Sequence, residues 1–215
     1  GTPVNNSAGT TTGAWSFADF YSYVCRMIGQ NGRRGALMIS MDIRHPDIEK
    51  FVTMKQDLTK VTGANVSVRI SDDFMEAVEA DDEFVLRYPI NGGTTPAYTK
   101  TIRARDLWSD IIESATTTAE PGLLMWGNIL KRLPANEYAD QGFKTLTTNP
   151  CGEIPLSAYD SCRLVSLNLK NLVRNAFTPE STFDFKKFKE VVRVGMRLSD
   201  NLVELELEKL EKIIQ

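Results

Sequence analysis

The sequence predicts an α/β fold with parallel strands and a long C-terminal helix. Between Ala36 and Ala80, apolar β-prone runs alternate with amphipathic runs, and a strand, helix, strand, helix order argues for parallel pairing. From Phe185 to Gln215 the apolar residues recur at helical spacing over the longest such stretch in the chain.

The elements follow in order. Thr2 to Gly13 is rich in Thr, Asn, Gly and Ser and reads as a loop, and Trp15 to Ile28 carries a helical pattern. Ala36 to Ile43 is nearly all apolar, which suits a strand buried on both faces. Pro46 is placed as a first helical residue, with Asp47 and Glu49 near the positive end of a helix dipole that runs to about Met54. His45, the single histidine, is read as helping to start that helix. Ala64 to Ile70 is a second strand, and Ser71 with Asp72 and Asp73 supplies the N-cap and acidic first turn of a helix to about Ala80. Phe84 to Tyr88 and Tyr98 to Ile102 flank a Gly/Thr-rich turn at Asn91 to Pro96 and read as an excursion hairpin. Ala104 to Thr116 is helical and Leu123 to Trp126 is a short strand. In the last helix Val203, Leu207, Leu210 and Ile214 form a stripe, Glu206 with Lys209 and Glu208 with Lys212 are placed to pair, and Gly195 marks a kink or a close approach.

Composition bounds the function. A chain of 215 residues, 42% hydrophobic, buries a sizeable core as one or two domains. With 25 basic and 28 acidic residues there is no electrostatic case for nucleic acid or a membrane surface, so small molecules and proteins are the expected partners. No apolar run approaches the roughly 20 residues of a bilayer span, and the first residues lack the pattern of a signal peptide, so a cytoplasmic protein is expected. Cys25, Cys151 and Cys162 have no metal-ligand spacing and are too few for a disulfide scaffold, which leaves reactive thiols as the open possibility and no metal site.

The chemistry concentrates at Asn149-Pro150-Cys151-Gly152-Glu153-Ile154-Pro155-Leu156, followed by Cys162-Arg163-Leu164-Val165-Ser166-Leu167-Asn168-Leu169. If the octet is extended, Asn149, Cys151 and Glu153 point to one side and converge on a small molecule. A lone cysteine is more often a small buried hydrophobe, as is expected of Cys25, but an amide, a thiol and a carboxylate on alternate residues argue for a site. A turn near Ser157 to Ser161 is needed if Cys162 is to share it.

This pattern resembles the active-site finger loop of ribonucleotide reductases, and its spelling is most similar to the adenosylcobalamin-dependent class. The resemblance extends, in the family's order, through Gly32-Arg33-Arg34-Gly35-Ala36, His45-Pro46-Asp47-Ile48-Glu49-Lys50-Phe51, Asn65-Val66-Ser67-Val68-Arg69-Ile70-Ser71-Asp72-Asp73-Phe74-Met75 and Ala119-Glu120-Pro121-Gly122. It covers nearly the whole chain. It implies one partial catalytic domain over residues 1–215, the first half of a ten-stranded α/β barrel, with the finger loop and a following strand at 147–169. It also implies thiyl-radical reduction of a ribonucleoside di- or triphosphate to the 2′-deoxyribonucleotide. Cys151 would carry the radical, Glu153 would be the general base and Asn149 would orient the ribose. Cys162 would be one of a redox pair whose partner precedes Gly1.

The cofactor implied is adenosylcobalamin, with a dimetal partner subunit as the alternative radical source. A thioredoxin-like reductant, a deoxynucleotide or ATP effector, the remainder of the reductase and a homodimer of the complete enzyme are the implied partners. Two segments resemble specificity loops: residues 1–13, with Thr11 and Thr12, and residues 55–64, with Lys55 and Lys60. Both also fit plain surface connections. Arg33 and Arg34 are candidates for phosphate contact, although adjacent arginines are usually just solvated. Family chains are several hundred residues longer. A catalytically silent nucleotide-binding or assembly module, or one half of a split reductase, is therefore the alternative function.

Overall fold

A computed structural model of the protein describes residues 4, 9–29, 32–91 and 95–214. Much of the segment expected as the first specificity loop, part of the Asn91 to Pro96 turn, and Gln215 lie outside the described residues. The chain divides into two compact units, Gly1–Asp160 and Ser161–Gln215.

The first unit begins with α1 (Ala14–Met27), β1 (Met38–Asp42), α2 (Ile48–Thr53), β2 (Asn65–Ile70) and α3 (Asp72–Ala80). An excursion of β3 (Glu83–Tyr88) and β4 (Tyr98–Arg103) precedes α4 (Ala104–Thr118), β5 (Gly122–Met125) and α5 (Trp126–Arg132), and the unit ends on β6 (Thr145–Thr148) and β7 (Pro155–Ser157). Strand β2 is central and pairs in parallel with β1 and β5, as the alternating order requires. The excursion is the expected antiparallel hairpin, paired from Glu83↔Arg103 to Tyr88↔Tyr98.

Strand β2 explains how the layers separate. Its side chains alternate, so Val66, Val68 and Ile70 share one face while Asn65, Ser67 and Arg69 share the other. The three apolar residues are at most 2% exposed and join Phe51, Val52, Phe74, Leu107 and Ile111 in one core. Each such large side chain contributes about 1.5–3 kcal/mol on burial. The polar face is left for other work.

The structure corrects several expectations. Of the five strands in half a ten-stranded barrel, the parallel sheet holds three among the described residues. Every residue of β1 is half-buried rather than buried on both faces, because β1 is an edge with a ladder partner on one side only. Helix α2 starts at Ile48, two positions later than a helix with Pro46 first, and Asp47 is its N-cap residue. Asp47 turns its carboxylate away from α2 to the first amide of α1, where Ala14 N–H donates to Oδ2 at 2.7 Å. His45 does help the chain enter α2: its Nδ1 accepts from Asp47 N–H at 3.0 Å and its carbonyl from Ile48 N–H. Ser71 is the N-cap residue of α3, without a side-chain cap bond. Helix α5 and the 3-10 turns of Pro134–Gln141 have no counterpart in the sequence reading.

In the second unit, residues 161–168 are irregular, so the strand expected after the finger loop is not formed. Among the described residues no strand pairs with that segment. The short strands β8 (Val173–Arg174) and β9 (Thr182–Phe183) pair ahead of α6 (Phe185–Ile214), the long helix the periodicity called for. Asp184 starts it: Lys187 N–H donates to Oδ1 at 2.9 Å, and Arg174 holds Oδ2 at 2.5 Å. Glu208 pairs with Lys212 at 3.2 Å, but Glu206 pairs with Arg163 instead of Lys209. Helix α6 runs through Gly195 without a break, and a Cβ there would meet Val165 Cγ1 at 3.6 Å, an ordinary contact, so neither a kink nor a close approach accounts for the glycine.

Candidate functional site

The octet forms the tip of the β6–β7 hairpin, whose register runs Thr147↔Leu156 and Thr148↔Pro155. Residues 149–154 are a turn rather than the extended run expected of them. Asn149 closes it. Its N–H donates to Ile154 O at 3.1 Å, its Oδ1 accepts from Ile154 N–H at 3.0 Å, and its carbonyl accepts from Gly152 N–H at 3.0 Å. Gly152 has φ +83°, the left-handed region that glycine enters at little cost. An asparagine and a glycine three residues apart thus bend the segment, because side-chain and backbone bonds within the turn outcompete an extended course.

Bending changes what each residue offers. Cys151 and Glu153 are both exposed, on either side of Gly152 at the tip. Asn149 is half-buried with its oxygen committed to the turn, which leaves its amide N–H groups as its free chemistry. The three residues share one turn rather than one face of an extended strand.

The tip rests on the polar face of the parallel sheet. Asn65 Nδ2 donates to Pro150 O at 2.9 Å, and Arg69 Nη1 to Leu146 O at 3.1 Å. The Arg69 guanidinium lies over the Trp126 ring, 5.1 Å from its centroid, and its Nε is buried without a hydrogen-bond partner among the described residues. At Gly152 a Cβ would sit 3.7 Å from Leu124 Cδ2 of β5. A cleft of about 350 Å³ opens beside the hairpin, lined by Tyr21, Met38, Ser40, Arg69, Leu146 and Thr147. That volume is in the range of small-molecule sites.

Other sequence candidates fall elsewhere. Cys162 is half-buried on the irregular segment of the second unit. The turn expected before it is present, with Asp160 N–H donating to Ser157 O and Tyr159 at φ 60°. Arg33 and Arg34 are exposed and form no ion pair among the described residues. Lys55 is committed internally, pairing with Glu120 and donating to Ala64 O. Lys60 faces Asp19 of α1 at 3.5 Å. The segment 55–64, which resembles a specificity loop and also fits a plain surface connection, is pinned to α1, since Val61 N–H donates to Asp19 and Gly63 N–H to Ser22 Oγ, and Val61 is fully buried. Thr12 shares a hydrogen bond with Ser16 of α1, and Cys25 is half-buried in α1 with its Sγ against Gly35.

Thr11 lines a second cavity, about 340 Å³, with Phe17, His45, Asp47, Tyr88 and Tyr98. Burial holds the His45 imidazole below its ordinary value, against the Asp47 and Asp42 carboxylates that raise it. Sequence reasoning missed this cavity and the part that Asn65, Arg69 and Glu120 play. For Asn65 and Arg69 a signal existed: polar residues alternate with apolar ones through β2. Among the described residues no three His, Cys, Asp or Glu side chains cluster as a metal cage. No helix among them is long and apolar enough to cross a membrane.

The model of the family "Ribonucleotide reductase, barrel domain" matches residues 1–215. The chain is 34% identical over 212 residues to a vitamin B12-dependent ribonucleoside-diphosphate reductase of Thermoplasma acidophilum, covering 98% of this chain and 26% of that one. It is 32% identical to a Mycobacterium tuberculosis protein of the same description, covering 95% and 28%. A vitamin B12-dependent ribonucleotide reductase of Streptomyces clavuligerus is 28% identical over 220 residues, covering 91% and 22%. The chain therefore spans about a quarter of the length of these relatives.

Proposed function

The chain belongs to the ribonucleotide reductase barrel-domain family, and from that premise we propose that residues 1–215 are a catalytic segment of a reductase that converts ribonucleotides to 2′-deoxyribonucleotides. The observation that carries this is the hairpin tip, where an exposed thiol stands between Asn149 and Glu153 over the polar face of β2. An exposed Cys151 Sγ fits a radical source that approaches from outside the sheet. The named relatives are vitamin B12-dependent, and adenosylcobalamin, when bound, would supply the radical that takes the hydrogen of that thiol. A dimetal partner subunit would serve the same purpose.

The residues of the chain then act in sequence. The Cys151 thiyl removes the hydrogen from the ribose 3′ carbon and becomes a thiol again. Glu153 takes the proton of the 3′ hydroxyl, a thiol of the Cys162 pair gives one to the 2′ hydroxyl, which leaves as water, and Glu153 returns its proton to the 3′ oxygen as the product forms. Asn149, with its oxygen held by Ile154, uses its amide N–H groups to orient the ribose. Cys162 and a second thiol supply two electrons and protons and close to a disulfide, and Cys151 returns its hydrogen to the 3′ carbon. A thioredoxin-like dithiol reopens the disulfide.

Arg33 and Arg34, exposed and free of ion pairs among the described residues, remain candidates for nucleotide phosphate. Lys55 is engaged by Glu120, whereas Lys60, 42% exposed beside Asp19, keeps an accessible ammonium, so Lys60 is the better placed of the two for nucleotide. Cys151→Ser in the whole polypeptide tests the reading. Turnover should be abolished while nucleotide binding persists, and turnover retained in that variant overturns the radical assignment. Nucleotide bound by the unaltered protein without any turnover would favour a silent module.

A further inference from the structure

The finger hairpin is anchored where its own ladder is weakest. Its register slips between Thr145 and Thr147, so the ladder near the tip is short. The tip is exposed at Cys151 and Glu153, so little apolar burial holds it. Hydrogen bonds to the sheet must therefore fix its height and direction. Two are present among the described residues, and both come from one face of β2, whose residues 65 and 69 lie four apart and point the same way.

Their acceptors differ in meaning. Leu146 O belongs to the ascending strand β6, while Pro150 O is the carbonyl of the peptide whose nitrogen is that of Cys151. Asn65 thus holds the peptide that carries the thiol. Arg69 is prepared for its part, because its guanidinium lies over Trp126 and needs no reordering to reach Leu146. Gly122 clears the space between them: a Cβ there would sit 2.7 Å from Ser67 Oγ, so a side chain on β5 would disturb the polar face that the hairpin crosses.

We propose that Asn65 and Arg69 are positioning residues that clamp the finger hairpin to β2 and so set the place of the Cys151 thiol. That Cys151 is the reacting group rests on the function proposed above. The clamp itself does not.

Amide hydrogen exchange, read by mass spectrometry on peptides spanning residues 145–157, tests it without reference to activity. Loss of one hydrogen bond should speed exchange at the Gly152 and Ile154 amides about fivefold in Asn65→Ala, and more in Asn65→Ala with Arg69→Met. The β3–β4 hairpin should keep its rate, which shows that the fold is intact. Asn65→Asp keeps the size without the donor and should behave as Asn65→Ala, while Arg69→Lys should restore part of the protection lost in Arg69→Met. In the whole enzyme Asn65→Ala should lower kcat and leave KM nearly unchanged. Finger amides exchanging at the unaltered rate in the double variant, or Asn65→Asp matching the unaltered protein, would overturn the clamp. Faster exchange with no turnover in any form would leave the clamp standing and sink the reductase reading instead.

Discussion

Removing the Glu120 carboxylate should be among the most damaging single changes to the first unit. Glu120 binds at two points: Lys55 pairs with one oxygen, and Val66 N–H, at the start of the central strand, donates to the other at 2.9 Å. Their side chains are only 14% and 23% exposed, so water replaces neither contact well. A hydrogen bond to a charged group contributes about 1.5–3 kcal/mol, and loss of one partner also strands the other. With partial exposure discounted, Glu120→Ala should cost about 3 kcal/mol. At about 2–4 °C per kcal/mol for a chain of this size, the melting temperature falls by about 6–12 °C. Glu120→Gln retains an acceptor for Val66 and should lose about half as much. A double-mutant cycle with Lys55→Met, followed by thermal and urea unfolding, should give a coupling above about 0.5 kcal/mol. A melting point within 2 °C of the unaltered protein for Glu120→Ala, on the order of measurement error, would refute the latch.

Other outcomes follow from the same structure. Because burial lowers the His45 imidazole below 6.5, the unfolded chain binds a proton that the folded chain refuses over the interval beneath that value. Stability is thus full above 6.5 and declines as pH falls from there to the lowered folded value. His45→Asn should flatten that slope in unfolding measured from pH about 5 to 8, and an unchanged slope would exclude His45 as its source. Gly63→Ala should cost about 1–3 kcal/mol, since its Cβ would lie 2.6 Å from Ser22 O, a backbone atom of α1. Chemical denaturation that shows no loss would contradict the packing of segment 55–64. Under native conditions iodoacetamide should modify Cys151 before the half-buried Cys25 and Cys162, as peptide mass mapping would record, and a Cys25-first order would contradict the exposed tip.

Periodicity and punctuation located most elements because they depend on neighbours in sequence. The alternation of Val66, Val68 and Ile70 marked β2, and acidic Asp72 and Asp73 behind Ser71 marked α3. Helix α5 escaped because its seven residues carry too few turns for a clear period. The extended reading of Asn149 to Glu153 failed because alternation shows what a strand would do and is blind to an asparagine side chain that bonds back to the backbone. Asp47 misled for a related reason: its sequence position favours α2, but its carboxylate serves a helix 33 residues earlier.

Residue types and their local order thus determined the parallel α/β layout and singled out Cys151, Asn149 and Glu153, since propensity, capping and thiol chemistry are properties of the residue and its immediate neighbours. Tertiary structure alone decided the turn's orientation over β2, the internal pairing of Lys55 with Glu120, and the pinning of segment 55–64. Each of those depends on which distant groups reach hydrogen-bonding range, as when Asn65 meets Pro150 across 85 residues, and no local pattern encodes that distance.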